Sequence, residues 1–226
     1  GAFFAKKEVP ARMRAGRRPE TRTRVYRSVS IPALSWLAHQ SGDTWECVIG
    51  PRVEQLPGGF YEGVWDGALG DFPPTDSEFA SGTGIHHAGG PPVFLSSRNP
   101  AQPLFVLRRS RDGRTFVSNS LTFALTAAKV PLDGPSAEKL SRSLGPTIQA
   151  HAAIGVYQAP TLLHQDGDYR LDAVIFFDFQ VGERGTITRR WRRPRRYFSD
   201  FASYRTFMQS TLRRLVDNAR SPQRAW

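Results

Sequence analysis

The chain of 226 residues is 39% hydrophobic and 23% charged, the balance of a globular protein with enough length for one sizeable core or two small ones. A single cysteine excludes an internal disulfide, which fits a reducing, cytoplasmic setting, and no run approaches the ~18 apolar residues of a membrane-spanning helix. The net charge of +11 is local: residues 1–27 hold nine Lys/Arg against Glu8 and Glu20, residues 184–196 hold seven Arg and no acid, and these segments together carry +14, leaving the rest at −3, which excludes a general polyanion-binding body.

In chain order, residues 1–30 lack sustained apolar periodicity and scatter Pro10, Gly16 and Pro19 among their arginines, so they read as a basic, loosely ordered arm. Its first residues place too few apolar side chains before their charges for a signal peptide, and a start at Gly rather than Met reads as a fragment or a trimmed product. Ile31–Leu37 reads as a short helix after Pro32, and Thr44–Ile49 as a strand closed by Gly50-Pro51. Cys47, inside that strand, reads as a small buried hydrophobe rather than a nucleophile. Phe60–Trp65 alternates aromatic and smaller residues and predicts a strand.

Phe72-Pro73-Pro74 breaks the pattern, and Ser81-Gly82-Thr83-Gly84 with Gly89-Gly90-Pro91-Pro92 predicts a flexible loop. A phosphate-cradling loop would run into a helix, whereas Val93-Phe94-Leu95 follows here. His86 and His87 are adjacent, so on a strand they would point to opposite faces; without a Cys or carboxylate at ligand spacing they read as a loop pair, not a metal site.

Pro103–Ala128 carries three concordant signals. Leu104–Leu107 and Thr115–Ser118 are strand-like runs separated by Asp112-Gly113, which predicts a hairpin. Ser118-Asn119-Ser120 offers helix caps, and Leu121, Ala124, Leu125 and Ala128 follow at helical spacing. The period-2 aromatic pattern makes Phe60–Trp65 an expected neighbour of the two hairpin strands in a mixed or antiparallel sheet.

Pro131–Gly145 reads as a second, polar helix, and Ala150–Val156 and Leu162–Leu163 as weak strands. Leu171–Phe179 is the strongest buried-strand pattern, with Gly185–Arg190 expected beside it across a turn at Gly182. Asp172 and Asp178 lie six residues apart, about 20 Å along a strand, too far for a joint acid–base role, and read as solvated strand ends. Arg184–Arg196 interleaves arginine with Trp191; phosphate contacts and stacking on nucleic acid are one reading, a solvated link the preferred one. Asp200–Ala219 is amphipathic, with Phe201, Tyr204, Met208, Leu212, Leu215 and Ala219 on one stripe.

Ser97-Arg98-Asn99-Pro100-Ala101-Gln102-Pro103-Leu104-Phe105, followed by the hairpin and a serine-containing turn into a helix, resembles the glutamine-amidotransferase half of asparagine synthetases. Phe60-Tyr61-Glu62-Gly63-Val64-Trp65-Asp66 is similar to that family's preceding strand. The likeness covers residues 58–130 and, more loosely, Phe198–Trp226. It implies an α+β fold, a layered Ntn-hydrolase-like sheet sandwich with flanking helices, left incomplete, plus the C-terminal amphipathic helix. It also implies three regions: the arm at 1–30, an amidotransferase-like domain at 31–197, and the truncated start of a synthetase domain at 198–226. The family joins glutamine hydrolysis to ATP-dependent amide formation on an adenylated carboxylate. The chain has no N-terminal Cys, no Arg-Gly-Pro-Asp stretch and no Asn-Gly-Glu element, which in the family supply the nucleophile, the arginine that holds glutamine and the oxyanion hole.

The expectation is therefore a non-catalytic, amidotransferase-like portion of an asparagine-synthetase-like protein, with no catalytic, cofactor-binding or metal-binding residue of its own. ATP and Mg belong to the missing synthetase domain. That domain, in cis or trans, is the expected partner, with self-association through Asp200–Ala219 as a second route. The alternative class is a small basic nucleic-acid-binding protein using residues 1–27 and 184–197.

Overall fold

The computed structural model describes residues 22–28, 30–87, 89–98, 101–130, 169–182, 185–192 and 197–221, with 133–135, 137, 138, 140, 142, 144 and 224. Among the described residues, twelve strands form two six-stranded sheets. The first sheet has the order β1 (Arg22–Arg27), β3 (Thr44–Ile49), β2 (Trp36–Ser41), β9 (Thr115–Ser118), β8 (Leu104–Arg109), β10 (Tyr169–Val174). The second runs β12 (Ile187–Arg192), β11 (Phe177–Val181), β7 (Val93–Leu95), β6 (Ala80–His86), β5 (Gly59–Trp65), β4 (Glu54–Leu56). All pairings are antiparallel except β1 with β3. With helix α1 (Leu121–Ala128) and helix α2 (Phe201–Ala219), the chain is α+β.

Side-chain parity assigns the faces. Along β2, Trp36 and Ala38 enter a core cluster with Phe60, Ile85, Phe94 and Phe179 of the second sheet, so this layer lies between the sheets. Leu37 points the other way, into a cluster with Leu107, Phe116 and Leu171 and with Ala124, Leu125 and Ala128 of α1. The far side of the second sheet gathers Tyr61, Trp65, Leu69, Val93 and Leu95. The helix after β9 starts where the caps predict: Ser120 Oγ accepts the Phe123 N–H at 3.3 Å. The predicted hairpin is present, with Gly113 at φ 70° in its turn.

Several expectations change. Residues 31–37 are not helical: Ser35 N–H closes a turn on the Pro32 carbonyl, and Trp36 begins β2 because its indole fills the inter-sheet layer. Arg22–Arg27, placed in the loose arm, is β1; Val25 packs on the core and Arg24 remains exposed. Ser81–Gly84 is not loop but the middle of β6. Gly63 and Gly82 face each other at φ 127° and 124°, and a Cβ on Gly82 would lie 1.9 Å from the Glu62 carbonyl, so glycine here permits close backbone approach rather than a turn.

Leu171–Phe179 is two strands in different sheets, broken at Phe176, whose φ is 68° and whose N–H bonds the Ser97 carbonyl. An apolar run facing core on both sides carries no period to mark that corner. The strand after it, β12, does pair with β11 across the turn at Gly182. Phe60–Trp65 is a strand, but it faces β8 and β9 from the opposite sheet instead of neighbouring them. The described residues between 134 and 144 are helical, and Leu140 and Leu144 join the α1 cluster. The strand readings at 150–156 and 162–163 lie outside the described residues.

The C-terminal helix docks through polar groups. Strand β4 pairs β5 only as far as Tyr61, and beyond it the open edge of β5 is met by side chains. Asn218 Oδ1 accepts the Trp65 N–H at 3.4 Å while its Nδ2 donates to the Gly67 carbonyl at 2.8 Å. Buried Arg224 donates to the Gly63 carbonyl at 3.0 Å, to Glu54 Oε2 at 2.8 Å and to the Asn218 carbonyl at 2.9 Å. Arg214 reaches Asp66 Oδ2 at 3.1 Å. Asn218→Ala leaves the Trp65 N–H and Gly67 carbonyl without this partner, at a cost of about 1–3 kcal/mol. The expected outcome in amide hydrogen exchange is faster exchange along 201–219, with β8 and β9 unchanged; equal acceleration in both regions would mean that the helix does not open separately.

Candidate functional site

The polar groups least expected in a hydrophobic layer are those between the sheets. On β5, Phe60 and Glu62 share the inward parity, so the strand that buries a phenyl ring two residues earlier also buries a carboxyl. Glu62 Oε1 accepts the Thr83 hydroxyl at 2.8 Å, and Thr83 Oγ1 accepts the Trp36 indole N–H at 2.9 Å. The three residues link β5, β6 and β2. Asn119, just before the cap of α1, holds the same strand: its Oδ1 accepts the Trp36 backbone N–H at 2.9 Å and its Nδ2 donates to the Leu34 carbonyl at 2.8 Å. Ser118 Oγ donates to the Trp36 carbonyl at 2.6 Å.

Burial pushes the Glu62 carboxyl up to about 7, against the opposing hydrogen bonds from Thr83 and Asn119. A group titrating there can hold or release one proton near neutral pH, and its partners are a hydroxyl and an amide rather than a second acid or a cation. A second polar chain adjoins it. Ser97 Oγ accepts the Gly82 N–H at 3.3 Å, and Ser97 and Ser81 both donate to Gln102 Oε1, at 3.1 and 3.0 Å. Ser97 and Gln102 are thus moored on Ser81 and Gly82 of β6.

The residues weighed in the sequence fall elsewhere. Cys47 is fully buried in β3, and desolvation pushes its thiol up to about 12, so it is protonated at neutral pH. His86 ends β6 with its ring 5.6 Å from that of Phe72, while His87 sits within 3.2 Å of the Thr23 hydroxyl and is held down to about 4 by burial. Among the described residues no group of three His, Cys, Asp or Glu could hold a metal ion. Asp172 and Asp178 are not solvated ends: both are buried, Asp178 accepting the Ser96 N–H at 2.9 Å and Asp172 paired with Arg108. They stand in different sheets. On β12, Arg189 and Arg190 are exposed, Arg189 lying 4.4 Å from the centre of the Phe177 ring.

Glu62, Thr83 and Asn119 were missed by sequence reasoning. The available signal was parity, because an acid two residues from an inward phenylalanine on an alternating strand shares its face. No family model, no curated protein and no solved structure matches the chain.

The raised Glu62 value has a defined consequence for stability. Its folded value lies above the ordinary 4.5, so its contribution is fully present below pH 4.5 and is lost as pH rises toward about 7. The loss over that window is on the order of 3 kcal/mol. Glu62→Gln keeps an acceptor for Thr83 and removes the charge. The expected result in denaturant titrations is a variant more stable than the parent at pH 8, with a smaller difference at pH 4.5; a parent whose stability relative to the variant does not fall between those pH values would show that Glu62 is not the responsible group.

Proposed function

We propose that this chain is the amidotransferase-like part of an asparagine-synthetase-like protein, that its sheets and flanking helices form an Ntn-hydrolase-like sandwich, and that it acts as a non-catalytic docking domain in the cytoplasm. The observation that carries the reading is the set of described residues between Ser97 and Ala128: Ser97 and Gln102 bonded to each other and to β6, the β8–β9 hairpin and a helix capped by Ser120. These are the residues whose sequence resembles the family, and their local structure has the order that the resemblance implies. A layer packed between two sheets, with α1 over the outer face of one, also favours it.

The role is docking rather than glutamine hydrolysis because that chemistry requires an accessible, activated nucleophile, and Cys47 is a buried, protonated thiol. In this reading 198–226 begins the synthetase domain, and ATP and Mg serve that domain. Its attachment surface is α2, which meets β5 through polar contacts and leaves Phe201, Tyr204, Leu212 and Val216 exposed. The synthetase domain, in cis or trans, covers that stripe; a second copy of the chain is the other occupant.

The purified chain is expected to release no ammonia from glutamine above background, and Cys47→Ala is expected to leave that result unchanged. Ammonia release that disappears in the variant would overturn the non-catalytic role. The family reading itself is tested by the gene. A frame running past Trp226 into a strand and a serine- and glycine-rich, pyrophosphate-gripping loop is the expected outcome, and absence of such a loop from both that frame and every co-purifying chain would sink it.

A further inference from the structure

The β8–β9 turn and the adjoining end of β10 enclose a cleft of about 500 Å³ lined by Arg108, Arg109, Ser110, Arg111, Asp112, Gly113 and Arg170. The register of β10 on β8 sets Arg170 directly opposite Arg108, and like charges in that position destabilise a sheet. One fully buried carboxylate, Asp172, serves both: it pairs with Arg108 and lies 3.4 Å from Arg170 Nε. Arg108 is further fixed by donating to the Gly185 carbonyl at 2.8 Å, while its Nε has no acceptor among the described residues. Arg109 is tied to Asp112, its Nε at 2.9 Å from Oδ1, and Asp112 also accepts the Arg114 N–H at 3.1 Å.

Among the described residues the four guanidinium groups face the carboxylates of Asp112 and Asp172, a surplus of two positive charges. That surplus is presented outward: Arg111 is exposed on the turn and the Arg170 side chain is 54% exposed. Two like-charged residues forced opposite one another, a buried carboxylate that balances only one of them, and a concave space of small-molecule size together describe a site short of an anion. The surplus matches the charge of a phosphate monoester, and the planar fork of arginine suits its oxygens.

We infer that this cleft binds the phosphate group of a small phosphorylated ligand, with Arg111 and Arg170 gripping it and Arg108 and Arg109 forming the fixed wall behind. The site does not rest on the asparagine-synthetase-like reading: most of its residues lie in the β8–β9 hairpin of that unit, but the argument uses their charge and their pairing with β10, not the resemblance. A free diphosphate and the terminal phosphate of a nucleotide offer the same chemistry. A nucleic-acid strand instead demands a continuous basic track with strong salt dependence, and the carboxylates of Asp112 and Asp172 confine the charge here to one concave spot.

The test is calorimetric titration of the full chain at low salt with inorganic diphosphate and, separately, with ADP. It is repeated on the Arg111→Ala/Arg170→Ala double variant and on an Arg189→Ala/Arg190→Ala control altered on β12. One-to-one binding is expected, weakened at least tenfold in the double variant and unchanged in the control. Tighter binding of ADP identifies a nucleotide source and equal binding a free phosphate source, and both support the site. No binding by the parent, or equal binding by the double variant, would overturn it. So would a short single-stranded oligonucleotide that displaces diphosphate and loses affinity in the β12 control. If the double variant does not unfold cooperatively, Arg111→Ala alone is used with the line width of the diphosphate phosphorus resonance as readout, and broadening identical to the parent's would again overturn the site.

Discussion

Trp36 is the residue through which the two sheets are joined. Its ring fills the layer between them, 5.3 Å edge-on from Phe60, its indole N–H is tied to Thr83 on the opposite sheet, and its backbone is held on both sides by Asn119 and Ser118. Two sheets that meet only through apolar side chains can slide, because the hydrophobic effect has no direction. A buried indole donor with one acceptor in reach removes that freedom, since leaving the N–H unpaired costs more than the bond is worth net. Thr83 accepts from Trp36 while its own hydroxyl donates to Glu62, so the buried acid ends a chain of hydrogen bonds that runs from one sheet to the other.

That dependence explains which parts of the fold were legible. The hairpin at Asp112-Gly113 and the helix capped by Ser120 are encoded by contiguous residues, and the turn, the cap and the periodic stretch all favour the same structure. Thr44–Ile49 and Phe60–Trp65 were readable by composition and alternation. Which sheet each strand joins was not, because β5 and β8 each read locally as a strand and neither pattern says which strands lie beside it. The corner at Phe176 is the sharpest case: the chain passes from one sheet to the other without a glycine or proline, its positive φ stabilised by a long-range bond to the Ser97 carbonyl.

The polar residues were legible in the opposite order. Charge counts located the arginine segments, yet the cleft takes its arginines from residues 108–111 and 170, inside the portion of the chain with no net basicity. A sum over sequence averages Arg108, Arg170 and Asp172 to a small number, whereas the pairing of β10 with β8 sets two of them opposite one another and buries the third. The same averaging hid Glu62. Its importance comes from a neighbour 21 positions along the chain, and a single sequence carries no mark of that distance.

The terminal helix shows why a good amphipathic pattern need not reveal the docked face. An open strand edge presents N–H and carbonyl groups that leucine cannot satisfy, so the face that settled on β5 is the one bearing Asn218, Thr211 and Arg214. At 3.6 residues per turn, Thr211 and Leu212 lie about 100° apart around the axis; burying one turns the other toward solvent, and Leu212 is accordingly 55% exposed. The helix is held by a few hydrogen bonds whose net worth is about 1 kcal/mol each, not by its apolar area. Water can replace such contacts at small cost, whereas covering Phe201, Tyr204, Leu212 and Val216 would gain apolar burial that the present packing does not supply. In the proposed docking role the polar seat on β5 is retained and a partner is added across the exposed stripe, because the two faces do not compete for the same side chains.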